Sequence, residues 1–203
     1  MIDSGVPRDY VIQYWKNRAS QQGKRTVGFN NIPIAEQDEN YKIRTNFIIS
    51  KLDTNLFTLD YGCGVGRYSK FFTKYLGVDI TRKLLDIAIE ENPEYNYELL
   101  TNPDLSDIDL SGIEQFYTST VLQHNTDESV KLILSGLSKA KNLNSIVLYE
   151  SSAYRVNVIN SHMNFRTVED YERLVKEHFD VKGFKYFKHM IHGAEHALMK
   201  FKL

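Results

Sequence analysis

The sequence predicts an α/β fold built on a seven-stranded, mostly parallel sheet, ending in an antiparallel C-terminal hairpin and preceded by an N-terminal helical cap. Three observations predict it. Strand-like runs alternate with helix-like ones from Leu56 onward, the order that produces parallel strands. A glycine-rich turn, Gly62-Cys63-Gly64-Val65-Gly66, leaves the first of those strands. The last two strand-like runs are joined by a short loop, which forces them to pair antiparallel.

The elements follow in order. Tyr10 to Ala19 sets Val11, Tyr14, Trp15 and Arg18 at helical spacing, and Gly23 ends that helix. After a loop through Gly28 and Pro33, Ala35 to Leu52 predicts a longer helix whose faces are marked by Tyr41, Arg44, Phe47, Ile48 and Leu52. Leu56 to Asp60 is the first strand, Gly66 to Tyr75 a helix, and Leu76 to Ile80 the second strand. Thr81 is an N-cap residue for a helix carrying Leu84, Leu85, Ala88 and Ile89, which Pro93 stops. Tyr95 to Leu100 is the third strand. The polar stretch Thr101 to Gly112 leads to a fourth, Gln115 to Thr120. Thr126 caps a helix with Val130, Ile133, Leu134 and Leu137 inside, and Ile146 to Glu150 is the fifth strand. A linker, Ser151 to Arg166, reaches Thr167-Val168-Glu169-Asp170, a capping-box pattern that opens a helix to Phe179. Val181 to Lys188 and His196 to Phe201 form the final hairpin around the loop His189 to Glu195. The whole reads as one domain, with residues 1–54 as a helical cap or lid and 55–203 as the core.

The 203 residues are ample for one such domain. The net charge of −1 argues against a general duplex-binding protein, which would be basic. Charge is nevertheless uneven. No Lys or Arg lies between Lys83 and Lys131, where acids are frequent. Lys16, Arg18, Lys24 and Arg25 lie near the start, and Lys182, Lys185, Lys188, Lys200 and Lys202 near the end. These are either ordinary solvated lysines or a basic rim formed where the two ends meet, suited to an anionic substrate. No apolar run is long enough to span a bilayer. The first residues have no signal-peptide character, and the lone Cys63 fits a reducing cytoplasm.

The glycine turn carries most of the functional information. Glycines at alternate positions let the backbone bend sharply and let a ligand lie against it, with the N–H groups of the next helix facing that ligand. Asp60 enters just ahead of the turn, and Asp79 ends the next strand, where a carboxylate can accept both hydroxyls of a ribose. A dinucleotide-binding turn is similar, but its third glycine arrives after two intervening residues rather than one. Acid, spacer, then Gly62-x-Gly64-x-Gly66 resembles motif I of the class I S-adenosylmethionine (SAM) methyltransferases, and the closing hairpin resembles their antiparallel seventh strand. The resemblance covers about residues 56–203 and implies a Rossmann-like methyltransferase sheet.

It also implies a site. Asp60, Gly62, Cys63, Gly64, Gly66, Arg67, Asp79 and Ile80 would bind the cofactor, with Cys63 in a backbone or packing role rather than as a nucleophile. Asp104 and Leu105, after the third strand, would meet adenine, though the loop lacks a clear signature and Asp104 also reads as a surface acid. Thr118-Ser119-Thr120-Val121-Leu122-Gln123-His124 looks like motif IV of small-molecule methyltransferases, with Ser119 and Thr120 near the transferred methyl. There is no Asn-Pro-Pro-Tyr sequence and no Pro-Cys pair, which disfavours methylation of base amines and of cytosine C5.

His124 is the candidate general base, since imidazole titrates near neutrality; it reads equally as a loop-bracing histidine. Arg18 could pair with the SAM carboxylate. Tyr14 and Trp15 would cover cofactor or substrate, or simply dock their helix. His162 and Arg166 would shape the acceptor pocket. His189, His192 and His196 have metal-like spacing, but a hairpin loop would not hold them on one face, and no metal is expected. The sequence therefore points to a methyltransferase acting on oxygen or nitrogen of a small molecule. A tRNA or nucleic-acid methyltransferase and a non-catalytic SAM-binding partner subunit remain open.

Overall fold

The computed structural model describes residues 8–22, 26, 33–152, 163–191 and 193–203. In chain order the elements are α1 (Arg8–Gln22), α2 (Ile34–Ile49), β1 (Thr58–Tyr61), β2 (Tyr75–Asp79), α3 (Arg82–Glu91), β3 (Asn96–Leu99), β4 (Gln115–Ser119), α4 (Asp127–Leu137), β5 (Ser145–Ser151), α5 (Val168–Lys176), β6 (Gly183–Ile191) and β7 (Ala194–Lys202). The strands form one sheet in the order β3-β2-β1-β4-β5-β7-β6. The first five pair parallel, and β7 inserts antiparallel between β5 and β6.

The period-2 alternation of the central strands builds two cores, one on each face. Leu59, Phe116, Ile146, Leu148, Met199 and Phe201 point to the face covered by α4 and α5, where Ile133, Leu134, Leu137, Tyr171 and Leu174 meet them. Tyr117, Val147, Tyr149 and Leu198 point the other way, to Ile48 of α2 and Leu85 of α3. That second core is aromatic, with Tyr68, Phe72 and Tyr75 filling it beside the glycine turn. Capping chemistry fixes the two helices of the first face. The Thr126 hydroxyl accepts the Ser129 N–H (3.2 Å), and Thr167 and Asp170 form a reciprocal capping box.

Two expectations are corrected. The stretch Gly66 to Tyr75 is not a helix but a single 3-10 turn over Ser69–Phe71. The turn geometry persists to Ser69, whose N–H and hydroxyl both donate to Gly66 O. Phe72 is already extended and Tyr75 belongs to β2, so the chain leaves the turn after one 3-10 repeat. The final hairpin is also tighter than a loop over His189 to Glu195. Pairing runs on to Ile191 opposite Ala194, with Gly193 at φ 66°. His189 and His196 are consequently facing strand residues.

Gly136 lies inside α4 directly against the backbone carbonyl of Asp104, where a Cβ would collide. In an open helix, Gly→Ala would stabilise by about 1 kcal/mol. Here Gly136→Ala should instead destabilise by about 1–3 kcal/mol in urea unfolding, because the added methyl overpacks α4 against the 101–108 loop. A more stable variant would show that this loop yields freely.

Candidate functional site

The parallel strands β1, β2 and β4 end around a cavity of about 460 Å³, at the carboxyl edge where open α/β sheets take their ligands. Its floor is the glycine turn. Val78 O accepts the N–H groups of both Gly62 (2.8 Å) and Cys63 (3.0 Å), which pins the turn to β2. Gly62 sits at φ 77°, and a Cβ there would meet Val121 Cγ2 at 2.5 Å. Only glycine supplies that backbone angle cheaply and lets the loop after β4 approach so closely.

Asp79 ties this turn to the start of α3. Its Oδ2 accepts the Gly64 N–H (2.9 Å) and its Oδ1 the Thr81 N–H (2.8 Å), so each oxygen of this cavity-lining carboxylate takes one backbone donor and retains further acceptor capacity. Burial pushes its pKa up, and the two backbone donors oppose that rise. Asp60 is 2 % exposed and accepts the Tyr75 hydroxyl at 2.8 Å. Burial pushes its pKa to about 7, the tyrosine opposes the shift and the Asp79 charge adds to it. The Cys63 thiol is pushed far up by burial and by both carboxylates, so it stays protonated and unreactive.

A third buried carboxylate, Glu150 near the end of β5, organises the loop after β4. Its Oε1 accepts the N–H groups of Val121 (3.1 Å) and Leu122 (3.0 Å) and the Thr118 hydroxyl (3.3 Å); its Oε2 accepts the Gln123 N–H (3.2 Å). Burial raises its pKa to about 7 against those four donors. Gln123 Oε1 in turn accepts the Ser151 N–H at 3.0 Å. Thr120, at φ 57°, is a β-branched residue in the left-handed region, a conformation that clusters at functional sites. The loop thus presents Ser119, Thr120 and His124 to the cavity. His124 is 8 % exposed, in a 3-10 turn whose His124 N–H donates to Val121 O at 3.0 Å.

Helix α1 is the opposite wall, where Val11, Tyr14, Trp15 and Arg18 line the cavity from one helical face. Arg18 Nη1 donates to Tyr14 Oη (3.2 Å), and its guanidinium lies 5.4 Å from the Trp15 ring centroid. The Trp15 ring meets the His124 ring edge-to-face, centroids 5.1 Å apart at 74°. From α2, Arg44 also reaches the cavity. It is 8 % exposed, packs on Tyr41 (4.8 Å to the centroid), and its Nε has no hydrogen-bond partner among the described residues. Its pKa is raised: burial acts to lower it, and Tyr68, Tyr41, Tyr149 and Tyr117 act to raise it. Tyr68 Oη, on the same wall, is likewise buried without a partner. Arg67 lies 3.6 Å from the Tyr41 centroid.

The expected residues therefore divide. Asp60, Gly62, Cys63, Arg67, Asp79, Ile80, Ser119, Thr120, His124, Tyr14, Trp15 and Arg18 all line one cavity. Gly64 and Gly66 shape the turn beneath it. Asp104 and Leu105 are not in the wall. Asp104 turns back to accept the Ser106 N–H (3.2 Å), and Leu105 is buried in the core; Leu100 and Pro103 face the cavity instead.

Arg166 is also not in the wall. Nε donates to Asp127 Oδ1 (2.8 Å), Nη1 to Leu122 O (2.9 Å) and Nη2 to Asn125 O (2.7 Å), so it braces the post-β4 loop from behind. Of the proposed basic rim, Lys24 and Arg25 lie outside the described residues, and the described basic residues of the two ends do not meet. α1 packs on α3, beside β2 and β3, whereas Lys182, Lys185 and Lys188 accompany β6 at the other sheet edge. His196 lines the cavity and stacks on Tyr149 (5.3 Å, 8°); His189 stacks on Phe47 (4.2 Å, 11°) and binds Tyr149 Oη at 2.8 Å. Among the described residues no three ligating side chains gather for a metal; His162 and His192 lie outside those residues.

Sequence reading missed Arg44, Tyr68 and Glu150. Two of them carried a signal. Arg44 stands one turn before the buried Ile48, a charge on an apolar stripe, and Glu150 ends an apolar strand as Asp79 does.

No family model and no curated protein sequence matches the chain. Solved structures do. A Synechocystis magnesium protoporphyrin IX methyltransferase with bound S-adenosylhomocysteine is similar at TM-score 0.74 and 14% identity, covering 97% of this chain and 100% of that one. A SAM-dependent methyltransferase from Leishmania major gives 0.72 and 16%, covering 96% and 82%. One from Anabaena variabilis gives 0.64 and 19%, covering 95% and 94%. The fold is the class I methyltransferase fold, with its 3-2-1-4-5-7-6 sheet. No helix among the described residues is long and apolar enough to cross a membrane.

Asp60 and Glu150 ionise at about 7 in the folded chain, against about 4 for unfolded carboxyls. The folded state then holds more protons through that interval, so stability should fall as pH rises from about 4.5 to 7 and level off above it. Asp79, whose pKa burial also raises, adds to the decline; Asp104, Asp107, Asp109 and Glu177, whose pKa values are lowered, act in the opposite sense in the acid range below, and His189, whose pKa burial lowers, opposes the decline within the interval itself. Urea unfolding across pH should show this decline, and Asp60→Asn should reduce it. An undiminished slope in Asp60→Asn would assign the effect elsewhere.

Proposed function

We propose that this chain is a SAM-dependent methyltransferase that methylates an oxygen or nitrogen of a small molecule. The observation that carries the reading is the convergence, on one cavity at the carboxyl edge of a class I sheet, of the glycine turn, Asp79 and the buried Arg44. The residues fit the cofactor. Asp79 retains acceptor capacity on each oxygen for two vicinal hydroxyls. Arg44 Nε and Tyr68 Oη are buried donors without partners among the described residues, a costly state that an α-carboxylate relieves. Ile80, Leu84 and Leu100 offer apolar surface to a purine.

Bound SAM supplies an electrophilic methyl group. The protein's part is to align the acceptor, exclude water and receive a proton. Residues 1–54 act as a lid over a core of 55–203 in one domain, with α1 closing the wall. His124 takes the acceptor's proton, while Ser119 and Thr120 frame the transfer site. The separation of the described basic residues, with α1 packed on α3 and Lys185 and Lys188 on β6, favours a small acceptor over nucleic acid. The buried, protonated Cys63 suits a reducing compartment such as the cytoplasm.

Calorimetry should show binding of S-adenosylhomocysteine and SAM, and far weaker binding of NAD; a preference for NAD would overturn the assignment. Asp79→Ala and Arg44→Met should each weaken binding about ten- to a hundredfold, the contribution of hydrogen bonds to a charged group. Asp79→Ala should also lower stability, since the Gly64 and Thr81 N–H groups lose their acceptor.

His124→Ala should retain cofactor binding and lose about 10²–10⁴ in turnover. Turnover within a few-fold of the parent would leave alignment as the catalytic device.

A further inference from the structure

The glycine turn has no α-helix behind it, since only the 3-10 turn Ser69–Phe71 follows. What lies beneath it comes from β3. Tyr97 stands opposite Gly77 in the β2–β3 register, and its ring crosses the bare backbone of Gly77 toward the turn. A Cβ on Gly77 would meet Tyr97 Cδ1 and Cys63 Sγ, each at 2.9 Å, and Tyr75 Cε1 at 3.0 Å. The far end of the same ring reaches Gly66. A Cβ there would lie 2.5 Å from Tyr97 Oη, 2.9 Å from its Cε1 and 3.0 Å from its Cζ. One side chain thus spans from the place where Cys63 packs on β2 to the last glycine of the turn.

These contacts give Gly66 a role distinct from ligand approach. It is buried, does not line the cavity, and turns its bare face to Tyr97 at φ 68°. Its N–H donates to Cys63 O (3.0 Å), and its own carbonyl accepts the Ser69 N–H (3.2 Å) and hydroxyl (2.8 Å). A shift of Gly66 therefore passes along the turn to Gly64, whose N–H donates to Asp79. The Tyr97 hydroxyl is buried without a hydrogen-bond partner among the described residues, the Ser69 hydroxyl being given to Gly66 O, so the ring acts by packing. Tyr75 meets that ring from β2, centroids 5.9 Å apart at 68°, and is itself held by its bond to Asp60.

We propose that Tyr97 is a positioning residue for the cofactor: packed over Gly77 and against Gly66, it supports the glycine turn from beneath and keeps the Gly64 N–H on Asp79. The ring fills the hollows that two glycines leave, so neither backbone can settle toward β3 without displacing it. Support that a following helix would give the turn is supplied from a neighbouring strand. The proposal rests on the reading that this turn and Asp79 bind SAM, but support of the turn is measurable with no ligand present.

Amide hydrogen exchange on the full chain, followed by NMR, reads that support. Tyr97→Leu still covers Gly77 but is too short to reach Gly66. It should speed exchange of the Gly64 and Gly66 N–H groups about tenfold relative to the Leu148 N–H, which lies in β5 between two paired strands and reports global unfolding. Tyr97→Phe keeps the ring and loses no hydrogen bond, so its ratio should match the parent. Leu134→Ala truncates the core under α4 on the other face and should not raise the ratio. An unchanged ratio in Tyr97→Leu, or an equal rise in Leu134→Ala, overturns the proposal. By calorimetry, S-adenosylhomocysteine should bind Tyr97→Leu about tenfold more weakly than the parent, as when the competent turn is populated about a tenth of the time, and Tyr97→Phe as the parent does. Full affinity in Tyr97→Leu overturns the positioning role. A parent that binds no S-adenosylhomocysteine would fault the cofactor reading, and the exchange ratio would still decide whether Tyr97 supports the turn.

Discussion

The carboxyl edge of the sheet is organised by buried carboxylates that must find donors. Asp60, Asp79 and Glu150 stand at or near the ends of β1, β2 and β5, each nearly removed from water. A carboxylate in that setting is costly unless hydrogen-bonded. The donors available are the loops themselves: Gly64 and Thr81 for Asp79, residues 121–123 for Glu150, and the Tyr75 hydroxyl for Asp60. The same bonds that relieve the charges therefore fold the two loops from which the cavity is built. The cost persists in the raised pKa values of all three acids.

The glycine turn is held without a helix behind it. In a strand–turn–helix arrangement the next helix's N–H groups and dipole face the ligand. Here a 3-10 turn follows, and the backbone of residues 62–66 must do that work alone, stapled by Val78 O and Asp79. Positive charge comes from side chains instead, with Arg18, Arg44 and Arg67 all lining the cavity. Arg44 reaches it from α2, among the tyrosines of the second core, which links the cap to the cavity electrostatically as well as by packing.

Stability and function are spatially divided. One face of the sheet, under α4 and α5, is a continuous aliphatic core with well-capped helices. The other face carries the aromatic core, helix α2 and the hydroxyls of Tyr68 and Tyr117, buried without a partner among the described residues. Among the described residues, Arg44 Nε, Tyr68 Oη and Thr81 Oγ1 are buried polar atoms without a partner on residues that line the cavity, whereas others, such as Gln115 Oε1 and Tyr171 Oη, lie away from it; Arg166 is spent wholly on the post-β4 loop.

By itself the sequence determined the strand order of elements, the closing hairpin, the glycine turn with Asp60 and Asp79, and the motif ending in His124. These are local signals, readable because period-2 apolar runs, glycine punctuation and capping residues act over a few neighbours. The tertiary structure decided the rest. It put Asp104, Leu105 and Arg166 outside the cavity wall, because a side chain's direction in an irregular loop depends on which distant carbonyl or amide it satisfies. It reduced the helix after Gly66 to a single 3-10 turn, because the chain is already extended at Phe72 on its way into β2. It also brought forward Arg44 and Glu150, whose partners lie far off in the chain, so that their importance exists only once α2, β4 and β5 are packed together.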